Sequence, residues 1–118
     1  RPDKLVLVSA SSALTGLGDG EFSLDGRPVH VINGVARLDN GDLAGSIITL
    51  DESLRRFMTC VDEPIDSIWQ TVSLNPARAI HVAHRKGSIE IGKDADLILV
   101  DSDLQVQKTL VMGRIVAG

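Results

Sequence analysis

The sequence predicts an α/β chain of irregular order: one buried strand, a hairpin insert, two or three helices and a β tail. Three observations carry this prediction. Lys4-Leu-Val-Leu-Val-Ser9 is apolar at four consecutive positions, the mark of a strand covered on both faces, as in a parallel sheet beneath helices. Two Xaa-Gly pairs, Asp25-Gly26 and Asn33-Gly34, separate short runs of strand formers. From Thr49 to Val82 apolar residues recur at helical spacing, and after Gly87 the pattern returns to short β runs. Strands and helices therefore do not alternate as in a doubly wound sheet.

Taken in order, Ser9 to Gly20 is rich in small and flexible residues, sustains neither period, and reads as a loop. Glu21 to Leu38 reads as a meander, because Asn or Asp before Gly supplies the positive φ that tight hairpins need. Thr49-Leu-Asp-Glu52 has the spacing of a capping box and predicts a helix start. Leu50, Leu54, Phe57, Met58 and Val61 then share its buried face, with Arg55 and Arg56 turned away. Cys60, the sole cysteine, reads as a small buried hydrophobe. A second helix is expected from Pro64, with Ile65, Ile68, Trp69 and Val72 inward. Asn75-Pro76 should end it and open a short helix from Ala77 to Val82. The tail reads as strands over Gly87–Ile91, Asp96–Asp101, Leu104–Met112 and Arg114–Ala117.

Composition narrows the partners. In 118 residues, 12 Lys plus Arg face 16 Asp plus Glu for a net charge of −4, and aromatics are 3%. With no basic run and few rings to stack on bases, nucleic acid is not expected. The apolar runs are too short for the ~20 residues that span a bilayer, so no membrane is expected either, and a cytoplasmic setting is. One cysteine excludes an intrachain disulfide and a cysteine-rich zinc site.

Candidate chemistry is sparse. Gly16, Gly18 and Gly20 follow the first strand, but Glu21 stands at the spacing of a dinucleotide fingerprint's third glycine and a hairpin follows, so a flexible loop is the better reading. His81 and His84 on one helix could face a metal, with Asp94 and Asp96 nearby in sequence, yet no third ligand stands at recognisable spacing. His30 sits in an alternating strand without an evident partner. Asp94 and Asp96 suit strand-entry hydrogen bonds better than paired acid-base work.

Several segments nevertheless resemble one family. Ser73-Leu-Asn-Pro-Ala-Arg-Ala79 and Lys86-Gly-Ser-Ile-Glu-Ile-Gly-Lys-Asp-Ala-Asp-Leu-Ile-Leu-Val-Asp101 resemble the C-terminal signature of the amidohydrolase superfamily. Thr15-Gly-Leu-Gly-Asp-Gly-Glu-Phe22, Val29-His-Val-Ile-Asn-Gly-Val-Ala-Arg-Leu38 and Gly41-Asp-Leu-Ala-Gly-Ser46 are similar to the N-acetylglucosamine-6-phosphate deacetylases within it. The resemblance covers nearly the whole chain. It implies the C-terminal piece of a (β/α)8 metal-dependent hydrolase barrel: residues 1–84 as the end of the barrel domain with the 21–38 hairpin insert and outer helices, and 85–118 as part of a small β sandwich. Leu5 to Ser9 would be the last barrel strand, whose C-terminal end borders the active site. Leu43, Ala44 and Gly45 would lie against the sugar phosphate substrate.

Two departures from the family pattern bear on activity. The resemblance implies an aspartate at the end of the last strand, contacting a divalent metal (zinc or similar) and moving protons; Ala10 occupies that position. A methyl group can do neither. The family's metal ligands and phosphate-gripping basic residues come from upstream strands, so no catalytic residue and no cofactor are expected in this chain alone. The intact relative would be an amide hydrolase releasing acetate and glucosamine 6-phosphate. Other readings are a non-catalytic oligomerisation or interaction module, and a piece of a deaminase or cyclic amidase. A strand at Leu5–Val8 without neighbours would expose apolar faces and unpaired edges, so a homo-oligomer or companion chain is expected.

Overall fold

A computed structural model describes residues 2–118. The chain divides into two compact units: Val8–Ser53, and the chain up to Leu7 together with Leu54–Gly118.

The first unit is built on an antiparallel meander of β1 (Gly20–Leu24), β2 (Arg27–Ile32) and β3 (Val35–Leu38). Both turns carry two consecutive positive φ angles, 50° and 76° at Asp25-Gly26 and 51° and 72° at Asn33-Gly34. That geometry matches the right-handed twist of paired strands and fixes the register. The Asp19 carboxylate accepts the Asn33 and Gly34 amides at 2.7 and 3.0 Å, so the second turn is held from outside. Strict alternation sends Val29, Val31 and Ala36 inward, where the loop residue Leu14 completes a core with Phe22, Leu24, Leu38, Ala44 and Ile47 packed around it. Burying each of Leu14, Val29 and Val31 is worth about 2 kcal/mol. Glu21, His30 and Arg37 occupy the opposite, polar face, in cross-strand register.

The second unit holds the helices and the tail. Helix α1 (Leu50–Met58) crosses from one unit to the other; α2 (Ile65–Ile68) runs into a 3-10 turn, Trp69–Val72, and α3 (Leu74–Ala79) follows. Ile68, Thr71, Asn75 and Ala77 are buried. The tail is a second antiparallel meander, β4 (Leu97–Val100), β5 (Val106–Val111) and β6 (Arg114–Ala117). Among the described residues none of its side chains is fully buried. No helix among the described residues is long and apolar enough to cross a membrane.

Several expectations change. The strand expected over Lys4–Ser9 is not formed: Pro2–Lys4 is a 3-10 turn, and Leu5, Val6 and Val8 are exposed. A parallel strand exists only by pairing with neighbours, and this segment has no strand partner among the described residues: Leu7 N donates to the Thr71 carbonyl at 3.0 Å and the Leu5 carbonyl accepts from the Asn75 side chain. Gly87–Ile91 is likewise irregular, with Ile89 and Ile91 in solvent. Asn75-Pro76 does not end a helix but lies in the first turn of α3, where proline's missing N–H goes unneeded. The Asn75 amide instead donates to the Pro2 and Leu5 carbonyls at 2.7 and 2.8 Å. Pro64 caps α2 from outside rather than opening it. Cys60 is exposed, because α1 stops at Met58 and the chain turns before Cys60 can face inward.

Candidate substrate-facing segment

Leu43, Ala44 and Gly45 are held between two pieces of backbone within the first unit. On one side Leu38 N donates to Asp42 O, Leu43 bridges Arg37, and Ala44 N donates to Ala36 O at 2.9 Å, so the segment starts as a short added strand on β3. On the other side Ser12 N donates to Ser46 O at 2.8 Å beside a parallel bridge from Ser11 to Ser46, and Ser11 Oγ donates to Ile48 O at 2.6 Å. Gly45 makes the change of direction with φ of +100°, a conformation that side chains resist. Leu43 is 67% exposed and Ala44 half-buried. The loop after Ser9 and the 43–45 segment are thus neighbours.

Ala10 stands at the start of that loop, exposed, with φ of 50°. Its methyl supplies no ligand atom and no proton. Among the described residues no three His, Cys, Asp or Glu side chains are grouped to hold a metal ion, so the residues present do not fit one. His81 and His84 fail for a local reason: α3 ends at Ala79, so the two are not on a helix, and His81 has φ of 62°. Asp94 and Asp96 serve structure, as their position suggests. Asp94 meets Arg85 and Lys86 at 2.8 and 3.0 Å, while Asp96 pairs with Lys86 and accepts the Met112 amide at 2.9 Å. Lys86 first, then Arg85, holds the Asp94 carboxyl below the ordinary range; Lys86, then the Met112 amide, does so for Asp96.

His30 has partners that the sequence reading missed. Nε2 lies 2.6 Å from Asp39 Oδ1 and Nδ1 lies 3.5 Å from Glu21 Oε1. The Asp39 hydrogen bond is the main cause of a pKa raised above the ordinary histidine value. Counting equally outward from the Asp25-Gly26 turn places Glu21 opposite His30, so half of this pairing was readable. Beside it, a shallow hollow of about 310 Å³ is lined by Arg27, Pro28, Leu38, Asp39 and Asn40.

Comparison with known proteins agrees with this architecture. The sequence profile of the Amidohydrolase family matches residues 23–116, and the chain belongs to that family. Within it the similar proteins include N-acetylglucosamine-6-phosphate deacetylases, and also an Escherichia coli protein described as a putative N-acetylgalactosamine-6-phosphate deacetylase, 32% identical over 96% of this chain and 68% of its own length. The Bacillus subtilis enzyme is 39% identical over 95% of this chain and 28% of its own length. A crystal structure of the Pasteurella multocida enzyme superposes with a TM-score of 0.90 at 36% identity, over 98% of this chain and 31% of that one. An aspartate-to-alanine mutant of the Mycobacterium smegmatis enzyme, in complex with N-acetyl-D-glucosamine-6-phosphate, gives 0.87 at 31% identity, over 100% of this chain and 32% of that one. The chain therefore spans under a third of the length of these last three relatives.

Proposed function

We propose that this chain is the C-terminal piece of a metal-dependent amide hydrolase that converts N-acetylglucosamine 6-phosphate to glucosamine 6-phosphate and acetate in the cytoplasm, and that alone it carries no turnover. The observation that carries the proposal is the superposition at 0.90 over nearly all of this chain but 31% of the relative. On this reading Leu5 to Ser9 is the last stave of a (β/α)8 barrel, residues 1–84 end the barrel domain, and 85–118 form part of a β sandwich. Leu43, Ala44 and Gly45 face the amino-sugar phosphate, and the divalent metal and its ligands belong to parts of the family fold outside this chain. Ala10 removes the proton carrier, because a methyl group neither binds a metal nor takes up or gives a proton. The Mycobacterium smegmatis mutant supports one element of this reading: a family member with one Asp changed to Ala is described with the sugar phosphate bound.

The test is acetate release by the chain with zinc and N-acetylglucosamine 6-phosphate. No release above a metal-only blank is expected; clear release overturns the inactive-piece reading. Upstream coding sequence that supplies a Glu and paired His residues on barrel strands would support the larger enzyme.

A second reading, a non-catalytic interaction module, is favoured by the exposed Leu5, Val6 and Val8. Such a surface suits a second copy or a companion chain. Sedimentation of a compact monomer at high concentration would count against it.

A further inference from the structure

The turn that delivers Leu43–Gly45 is held from the polar face of the hairpin sheet. It begins at Asp39, the residue after β3, and is closed by Gly41 N donating to Leu38 O at 2.9 Å. Arg37 Nη1 donates to Gly41 O at 2.7 Å, and Asn40 Nδ2 donates to Asp42 Oδ2 at 2.7 Å. Leu38 N donates to Asp42 O at 2.9 Å, and the next residue is Leu43. Asp39 is thus the first residue of the turn that leads into this segment.

Asp39 is fixed by His30. The imidazole stands between two carboxylates on its two opposite nitrogens, 2.6 Å from Asp39 and 3.5 Å from Glu21. A neutral imidazole has one N–H, so it donates to one carboxylate and turns a lone pair toward the other; only the imidazolium donates to both.

We propose that His30 is a proton-operated clamp: as imidazolium it ties Glu21 of β1 to Asp39 beyond β3, and on losing its proton it releases one of them, so that the setting of Leu43–Gly45 follows its charge. The functional meaning rests on the reading that this segment faces the sugar phosphate, but the clamp's chemistry does not. The charged groups around the ring are Glu21 from β1, Arg37 opposite it on β3, and Asp39; Arg27 lines the same hollow as Asp39. Arg37 is engaged at the Gly41 carbonyl, and the two carboxylates at the ring favour its charged form. The sign follows. Because the folded pKa lies above 6.5, the clamp is fully closed below 6.5 and opens as pH rises through the raised value.

The experiment is an NMR pH titration of the 118-residue chain across the histidine range, following the His30 ring and the amides of Leu43, Ala44 and Gly45. The expected result is a His30 midpoint above 6.5, with the Ala44 and Gly45 amides moving at that same midpoint. Asp39→Asn should lower the His30 midpoint and abolish the shared transition, and Glu21→Gln should lower it less. Amides that stay flat through the His30 transition overturn the clamp. Should Asp39→Asn disturb the sheet, seen as collapsed Val29 and Val31 amide shifts, His30→Gln decides: loss of the amide transition supports the clamp, and its persistence refutes it. No sugar is present, so a failed clamp leaves the deacetylase reading standing, and acetate release in the earlier assay would leave the clamp standing.

Discussion

The molecule contains the same motif twice, a three-stranded antiparallel meander, once with a covered face and once without. In β1–β3 the residues alternate, and each inward position meets Leu14 or its neighbours, leaving Val29 and Val31 1% exposed and Ala36 0%. In β4–β6 Leu97-Ile-Leu-Val100 is apolar without alternation, and Ile98, Leu99, Val111, Ile115 and Val116 are exposed. An alternating strand carries its own instruction about which side is inside and can be satisfied by one sheet and a loop. A continuous apolar strand asks for cover on both sides. The difference teaches that the hairpin unit is locally complete, whereas the tail's sequence is written for a neighbour.

One substitution placed in both sheets tests this contrast. Val31→Asp buries an unpaired carboxylate in the hairpin core and should destabilise that unit by about 4 kcal/mol or more, read as loss of its amide dispersion and cooperative melting. Next in size is Gly87→Ala, in an irregular stretch of the other unit that packs against α3. A Cβ there would lie 2.9 Å from the Ala77 Cβ, the Leu74 Cα and the Ser73 carbonyl oxygen, at φ of +91°, so a loss of about 3 kcal/mol in a denaturant midpoint is expected. Acid should act more gently on the link between residues 85–86 and the tail. Asp94 and Asp96 are held below 3.8, so the tie to Lys86 and Arg85 is fully present above 3.8 and fades as pH falls through the depressed values; faster exchange of the Met112 amide, which Asp96 accepts, would report it. The smallest effect is Ile115→Asp, at a position 61% exposed, which should change stability by no more than about 0.5 kcal/mol. A large loss there would mean that β6 already has cover, and the contrast between the sheets would fail.

How much was legible follows the same division. The meander, both turns, the start of α1 and strands β4–β6 were readable because hairpin registry and helical period are local properties. Lys4–Ser9 and Gly87–Ile91 were not, because their β character depends on partners rather than on their own residues. Asn75-Pro76 misled for another reason: a proline in a first turn and a proline at a stop look alike in sequence, and the Asn75 bonds to Pro2 and Leu5, 70 or more positions away, decide between them. Within the candidate site the neighbouring segments 10–12 and 43–46 were named through family likeness alone. Glu21 opposite His30 was countable from a turn; Asp39 at the other nitrogen was not, because it lies beyond the strand's end, where register no longer applies.

Ala10 holds φ of 50°, where a β-carbon crowds the carbonyl that follows and where aspartate and asparagine sit far more often than alanine. The bend at residue 10 is thus one that a short polar side chain would occupy with less strain than the methyl it carries.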